Sequence, residues 1–159
     1  MHLSPRLPIL RAPCVLVAAL ALNAAAQAGD APRAALLPAY KSECSACHIA
    51  YPPALLPAAS WQRVMSTLAR HYGADASLDP ATARELSAWL SANAGTAKRV
   101  REEPPQDRIT LSAWFVRKHR EVPTAAWARP AVKSAANCAT CHTQAEQGDF
   151  NEHNVRIPR

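Results

Sequence analysis

The chain is poor in the residues that build sheets and membrane spans. No run of Val, Ile or Thr alternates with polar residues, so nothing in it reads as a half-buried strand. Glycine occurs only four times in 159 residues, against fourteen prolines. With abundant alanine, this composition predicts an all-α chain of helices punctuated by proline-rich loops. Beyond residue 28 no apolar run approaches the roughly 20 residues that a membrane-crossing helix needs. No Lys/Arg run is interleaved with aromatics, which removes the usual footprint of a nucleic-acid binder. Apart from Met1, the sole methionine is Met65.

The N-terminus reads as an export signal. Arg6 and Arg11 supply its positive flank, Ala12 to Leu22 an apolar run of eleven residues, and Ala26-Gln27-Ala28 a small-residue cleavage site. An uncleaved anchor is the alternative, and the shortness of the run argues against it. Cleavage would start the mature chain at Gly29 and leave 131 residues, one ordinary domain or two very small ones. It would also remove Cys14, the odd one of five cysteines, and lower the formal charge from +6 to +4.

The four remaining cysteines fall into one repeated pattern. Cys44-Ser45-Ala46-Cys47-His48 and Cys138-Ala139-Thr140-Cys141-His142 are both Cys-x-x-Cys-His, the attachment signature of covalent c-type haem. The two-residue gap puts both sulfurs on one side of a helical turn, where they can add to two porphyrin vinyl groups. The adjacent His then reaches the iron. A shared zinc site would have to pool pairs separated by 90 residues and would leave both histidines unexplained. A redox dithiol expects a βαβ setting, which this chain lacks. Two haems would bring about four propionate charges, so the basic sequence overstates the charge of the loaded protein.

Along the mature chain, residues 34–48 read as a short helix entering the first motif. A second helix is predicted from Ser60 as N-cap, with Trp61, Val64, Met65, Leu68 and His71 on one face and Gly73 as its stop. Asp79-Pro80 opens a third, with Leu86, Trp89 and Leu90 inward and Gly95 after it. Residues 96–108 read as a polar linker. Thr110 is expected to cap a fourth helix, with Leu111, Phe115 and His119 on one face, and Pro130 to open a fifth that carries the second motif. The tail from Gln147 has no period and reads as a loop wrapped on the second haem or on the domain surface. The predicted organisation is a haem domain over 29–96, a linker over 97–108 and a second haem domain over 109–159. Each half has only about 65 residues and is marginal on its own apolar burial. Trp61, Trp89, Trp114 and Phe115 are candidates to pack against porphyrin.

The sixth ligand of each iron decides what such a protein can do. Five histidines follow residue 28: His48, His71, His119, His142 and His153. His48 and His142 are proximal by motif. His71 is preferred to Met65 for the first haem. His119, on an apolar face, is preferred to His153, which sits in a polar tail. Two His/His irons leave no position open to oxygen, peroxide or substrate. Such haems store and pass electrons.

Trp61 through His71-Tyr72-Gly73, Trp114-Phe115-Val116-Arg117-Lys118-His119, Gly148-Asp149-Phe150 and Arg156-Ile157-Pro158 together resemble the small dihaem cytochromes c of purple and related bacteria. The resemblance runs from Lys41 to Pro158. It implies a class I cytochrome c-like N-terminal haem domain and a smaller, irregular helical C-terminal one. It also implies His71 and His119 as distal ligands and a periplasmic electron carrier. Family members are similar to donors for an oxygen-binding monohaem cytochrome, the sphaeroides haem protein; others link to membrane b-type cytochromes. The rival reading is a small dihaem enzyme, a peroxidase or reductase with one openable site, for which the chain is short. Lys41, Arg99, Arg101, Arg117, Lys118 and Lys133 read first as solvated faces and second as the rim of a docking surface.

Overall fold

The computed structural model describes residues 36–159; the signal segment and Cys14 lie outside them. Among the described residues five short α-helices follow in order: α1 (Pro38–Cys44), α2 (Ala58–Ser66), α3 (Pro80–Ala92), α4 (Ala113–Lys118) and α5 (Thr124–Trp127). Among the described residues there is no strand, only two isolated bridges, so the fold is all-α. None of these helices is long and apolar enough to cross a membrane.

The first half is built on α3. Asp79 caps it, its Oδ1 accepting from the amides of Ala81 at 2.9 Å and Thr82 at 3.0 Å, and Pro80 fills the first helical position. Leu86 and Leu90, one turn apart, are buried against Tyr40 of α1, Leu56, and Trp61 and Val64 of α2. Each leucine contributes about 1.5–3 kcal/mol of burial.

Helix α2 departs from the sequence expectation at both ends. It begins two residues before Ser60, which is buried inside it and accepts from Arg63 at 3.4 Å. It stops at Ser66, because Thr67 turns its hydroxyl back onto the Arg63 carbonyl at 2.8 Å and competes with the helical ladder. A 3₁₀ turn (Leu68–Arg70) follows, and His71 lies in the loop beyond it rather than on the helix face.

The connection over 96–108 is tied to the first half. Val100 is buried. Arg63 donates to both carboxylate oxygens of Asp107, at 2.7 and 2.9 Å, and to Glu103 at 2.6 Å. The Tyr72 hydroxyl donates to the carbonyls of Gln106 at 3.1 Å and Asp107 at 3.0 Å. Tyr72, Gln106 and Asp107 all have positive φ, 51°, 56° and 55°, so these bonds join two left-handed turns.

The second half is more irregular. Ser112, not Thr110, caps α4, accepting from the Phe115 amide at 3.1 Å, and Leu111 is exposed before the helix starts. The helix expected from Pro130 does not form. Lys133 takes a left-handed turn, the Ser134 hydroxyl accepts from the Ala136 amide, and Asn137 donates to the Val132 carbonyl, so local side-chain bonds replace a helix. The second motif therefore sits on a 3₁₀ turn (Cys138–Thr140). The tail folds back over it: the Arg156 amide donates to the Cys141 carbonyl at 2.8 Å, and His142 bridges to Val155. Arg129 donates to the Pro158 carbonyl and fixes the end of the tail.

Candidate functional site

The first motif is delivered by the end of α1. Cys44 is its last residue, and Cys47 and His48 follow in the next turn. His48 donates from Nδ1 to the Ile49 carbonyl at 2.7 Å, which leaves Nε2 with a free lone pair. The ring of Tyr51 stacks on it at 4.6 Å between centroids. Across a cavity of about 510 Å³, the loop after α2 presents His71, its ring centroid 6.1 Å from that of His48. The cavity wall is apolar, with Leu56, Trp61, Val64, Leu68, Leu78 and Leu90. Met65 lines it as well, so the structure brings both sixth-ligand candidates to the first site.

The second site repeats the pairing with different supports. His119 closes α4. Its Nδ1 donates to the Phe115 carbonyl at 2.9 Å, and its ring stacks on Phe115 at 3.9 Å with Trp127 at 6.0 Å. His142 stands 6.0 Å away, with Phe150 at 5.3 Å on it. His153 is exposed in the tail and is not brought to the pair.

These arrangements fit haem. An imidazole nitrogen lies about 2 Å from a first-row metal and about 1.1 Å from its own ring centroid, so two imidazoles on one iron have centroids about 6 Å apart. Both pairs have that spacing. In each pair one buried nitrogen, His71 Nδ1 or His142 Nδ1, has no hydrogen-bond partner from the chain. Burial, with the partner histidine second, lowers the pKa of both rings and so favours the neutral form, the one that binds a metal. Burial pushes the Cys44 and Cys138 thiols up to about 11, opposite to what a redox dithiol needs. Among the described residues no group of three or more His, Cys, Asp and Glu is placed to hold a metal ion, as a pooled zinc site would require.

A family model described as Dihaem cytochrome c matches residues 40–150. The chain belongs to the dihaem cytochrome c family. It is similar to the crystal structure of a dihaem cytochrome c from Shewanella baltica OS155, with 39% identity and a TM-score of 0.68 over 76% of this chain and 92% of that one. It is also similar to two structures of the dihaem cytochrome c of Rhodobacter sphaeroides. One is 42% identical, with a TM-score of 0.61 over 73% of this chain and 98% of that one. The other is 43% identical, with a TM-score of 0.64 over 72% and 96%. No curated protein matches. This dihaem cytochrome c carries two covalently attached c-type haems with their irons.

Sequence reasoning missed several residues around the two pairs. Trp127 flanks the second pair with no sequence signal to place it, and Phe150, named only as part of the resemblance, packs on His142. Of the four aromatics expected to face porphyrin, Trp61 lines the first cavity and Phe115 stacks on His119. Trp89 packs on Tyr40 at 5.1 Å, and Trp114 lies under Arg99. Cys138 and Ala136, at the second motif, line the first cavity. No sequence signal joins them to a site 90 residues earlier.

Proposed function

We propose that this dihaem cytochrome c is an exported, periplasmic electron carrier with two closed, low-spin haems. Cys44 and Cys47 hold the first haem, with His48 and His71 as its axial ligands. Cys138 and Cys141 hold the second, with His142 and His119. The observation that carries this reading is the pairing of imidazoles at 6.1 and 6.0 Å in two separate places.

The haem irons supply reversible one-electron storage. The chain does the rest. The Ile49 and Phe115 carbonyls fix the tautomer of one imidazole in each pair and aim its free nitrogen inward. The leucines and Trp61 of the first cavity exclude water. Cys138 in the wall of that cavity brings the second attachment point against the first site, a placement that favours transfer between the two.

The domain division 29–96, 97–108 and 109–159 belongs to this reading, as does a cleaved signal over 1–28. The partners would be redox proteins: an oxygen-binding monohaem cytochrome or a membrane b-type cytochrome. No nucleic acid is involved. Exposed Lys98 and Arg99 lie on the packed turn over 98–100, Arg101 just after it, and Arg117 and Lys118 on α4 beside His119, and they would favour an acidic partner face.

The test is axial ligation. Electron paramagnetic resonance of the oxidised protein should show two low-spin ferric haems, and the reduced protein should not bind carbon monoxide. Carbon monoxide binding at either haem of the native protein would instead favour the small peroxidase or reductase.

A further inference from the structure

Tyr51 touches both sites, and the ligand assignment makes no use of it. Its ring lies within 21° of parallel to the His48 imidazole, 4.6 Å away between centroids. Its hydroxyl donates to the carbonyl of Ala136, 2.7 Å away and 85 residues along the chain. That same carbonyl accepts from the amide of Cys138 at 3.0 Å. One oxygen with two lone pairs thus joins Tyr51 to the first residue of the second motif. Tyr51 is itself braced, because its carbonyl accepts from the buried Tyr40 hydroxyl at 2.8 Å. Tyr51, Ala136 and Cys138 all line the first cavity.

We infer that Tyr51 is a positioning residue that locks the second attachment motif to the proximal imidazole of the first haem. Its ring fixes the plane of His48. Its hydroxyl fixes the turn that enters Cys138. The spacing between the two haems is set through this one side chain. The inference rests on the motif assignments of the electron-carrier reading and adds to them a residue that fixes how the two sites stand together.

Three variants of the full haem-loaded protein test it. Tyr51→Phe keeps the ring and removes the hydroxyl. A typical net hydrogen bond is worth about a fivefold change in an opening equilibrium. Amide hydrogen exchange over residues 134–138 should therefore quicken about fivefold, while the first haem's low-spin resonance stays in place. Tyr51→Leu removes the ring as well and should also shift the resonance of the first haem. Tyr72→Phe loses comparable hydroxyl bonds, to the carbonyls of Gln106 and Asp107, and should leave exchange over 134–138 unchanged. If Tyr51→Phe leaves that exchange at the native rate, or Tyr72→Phe quickens it equally, Tyr51 is only a core tyrosine and the inference falls. An unmoved first-haem resonance in Tyr51→Leu overturns the His48 part. The exchange comparison does not depend on axial ligation, so carbon monoxide binding by the native protein would strike the carrier reading and leave this comparison standing.

Discussion

Small exogenous ligands should open the two haems in a fixed order. In the proposed ligation the proximal histidines, His48 and His142, are each bound next to a covalent attachment, so displacement falls on the distal ones, His71 and His119. The structure holds these two unequally. His119 donates to a helical carbonyl, stacks on Phe115 and has Trp127 as a second aromatic neighbour. His71 has only the edge of Tyr72 at 4.9 Å, and its buried Nδ1 has no hydrogen-bond partner. The difference is one hydrogen bond, about 0.5–1.5 kcal/mol, and one aromatic contact, about 0.5–1.5 kcal/mol. Together they amount to about 1–3 kcal/mol, or about 5- to 150-fold in the population of the detached state. Titrating the oxidised protein with cyanide or imidazole should give two phases, the first belonging to the haem at Cys44 and Cys47. Resonance spectra of His71→Ala and His119→Ala identify which phase is which. Simultaneous reaction of both haems, or reaction of the second haem first, would refute the idea that these supports set ligand lability.

Three further outcomes follow from the same geometry. His71→Ala and His119→Ala should each convert one haem to a high-spin or ligand-exchanged form and spare the other, whereas His153→Ala, in the exposed tail, should change neither absorption spectrum. Gly95→Ala would place a methyl 2.4 Å from Val100 Cγ2 and 2.5 Å from the Ala54 carbonyl oxygen; backbone cannot retreat cheaply, so denaturant unfolding should show a loss of about 1–3 kcal/mol. The Asp107 carboxyl is held below its ordinary value of 3.8, chiefly by the hydrogen bond from Arg63. A depressed carboxyl stabilises the fold above its unfolded pKa and loses that contribution as pH falls through the folded one. The turns joined by Tyr72 and Asp107 should therefore loosen only below about pH 4, seen as faster hydrogen exchange over residues 103–108, and Asp107→Asn should remove this pH dependence.

The helical class and the two motifs were legible because each is local. Cys-x-x-Cys-His carries its chemistry within five residues, and Asp79-Pro80 carries its own start signal. What the sequence hid was decided by competition or by distance. The apolar spacing from Trp61 to His71 continues as if α2 did, but the Thr67 hydroxyl ends the helix first. Thr110 and Ser112 are equivalent as hydroxyls before an apolar run, and only the bond to the Phe115 amide picks out Ser112. Pro130 has the look of a helix start, yet Ser134 and Asn137 spend their side chains on nearby backbone. Tyr51 carries no local signal of its role, since its hydroxyl partner lies 85 residues away.

Cys138 in the wall of the first cavity bears on whether this molecule is modular. A fragment cut within 96–108 would contain Cys44, Cys47, His48 and His71, every residue proposed to bind the first haem. It would still lack Ile109, Thr110, Ala136 and Cys138, which close that cavity from the far side. The unit that binds one haem is thus larger than the stretch of chain that ligates it. The first half therefore cannot be transplanted, duplicated or expressed alone with that cavity's lining intact.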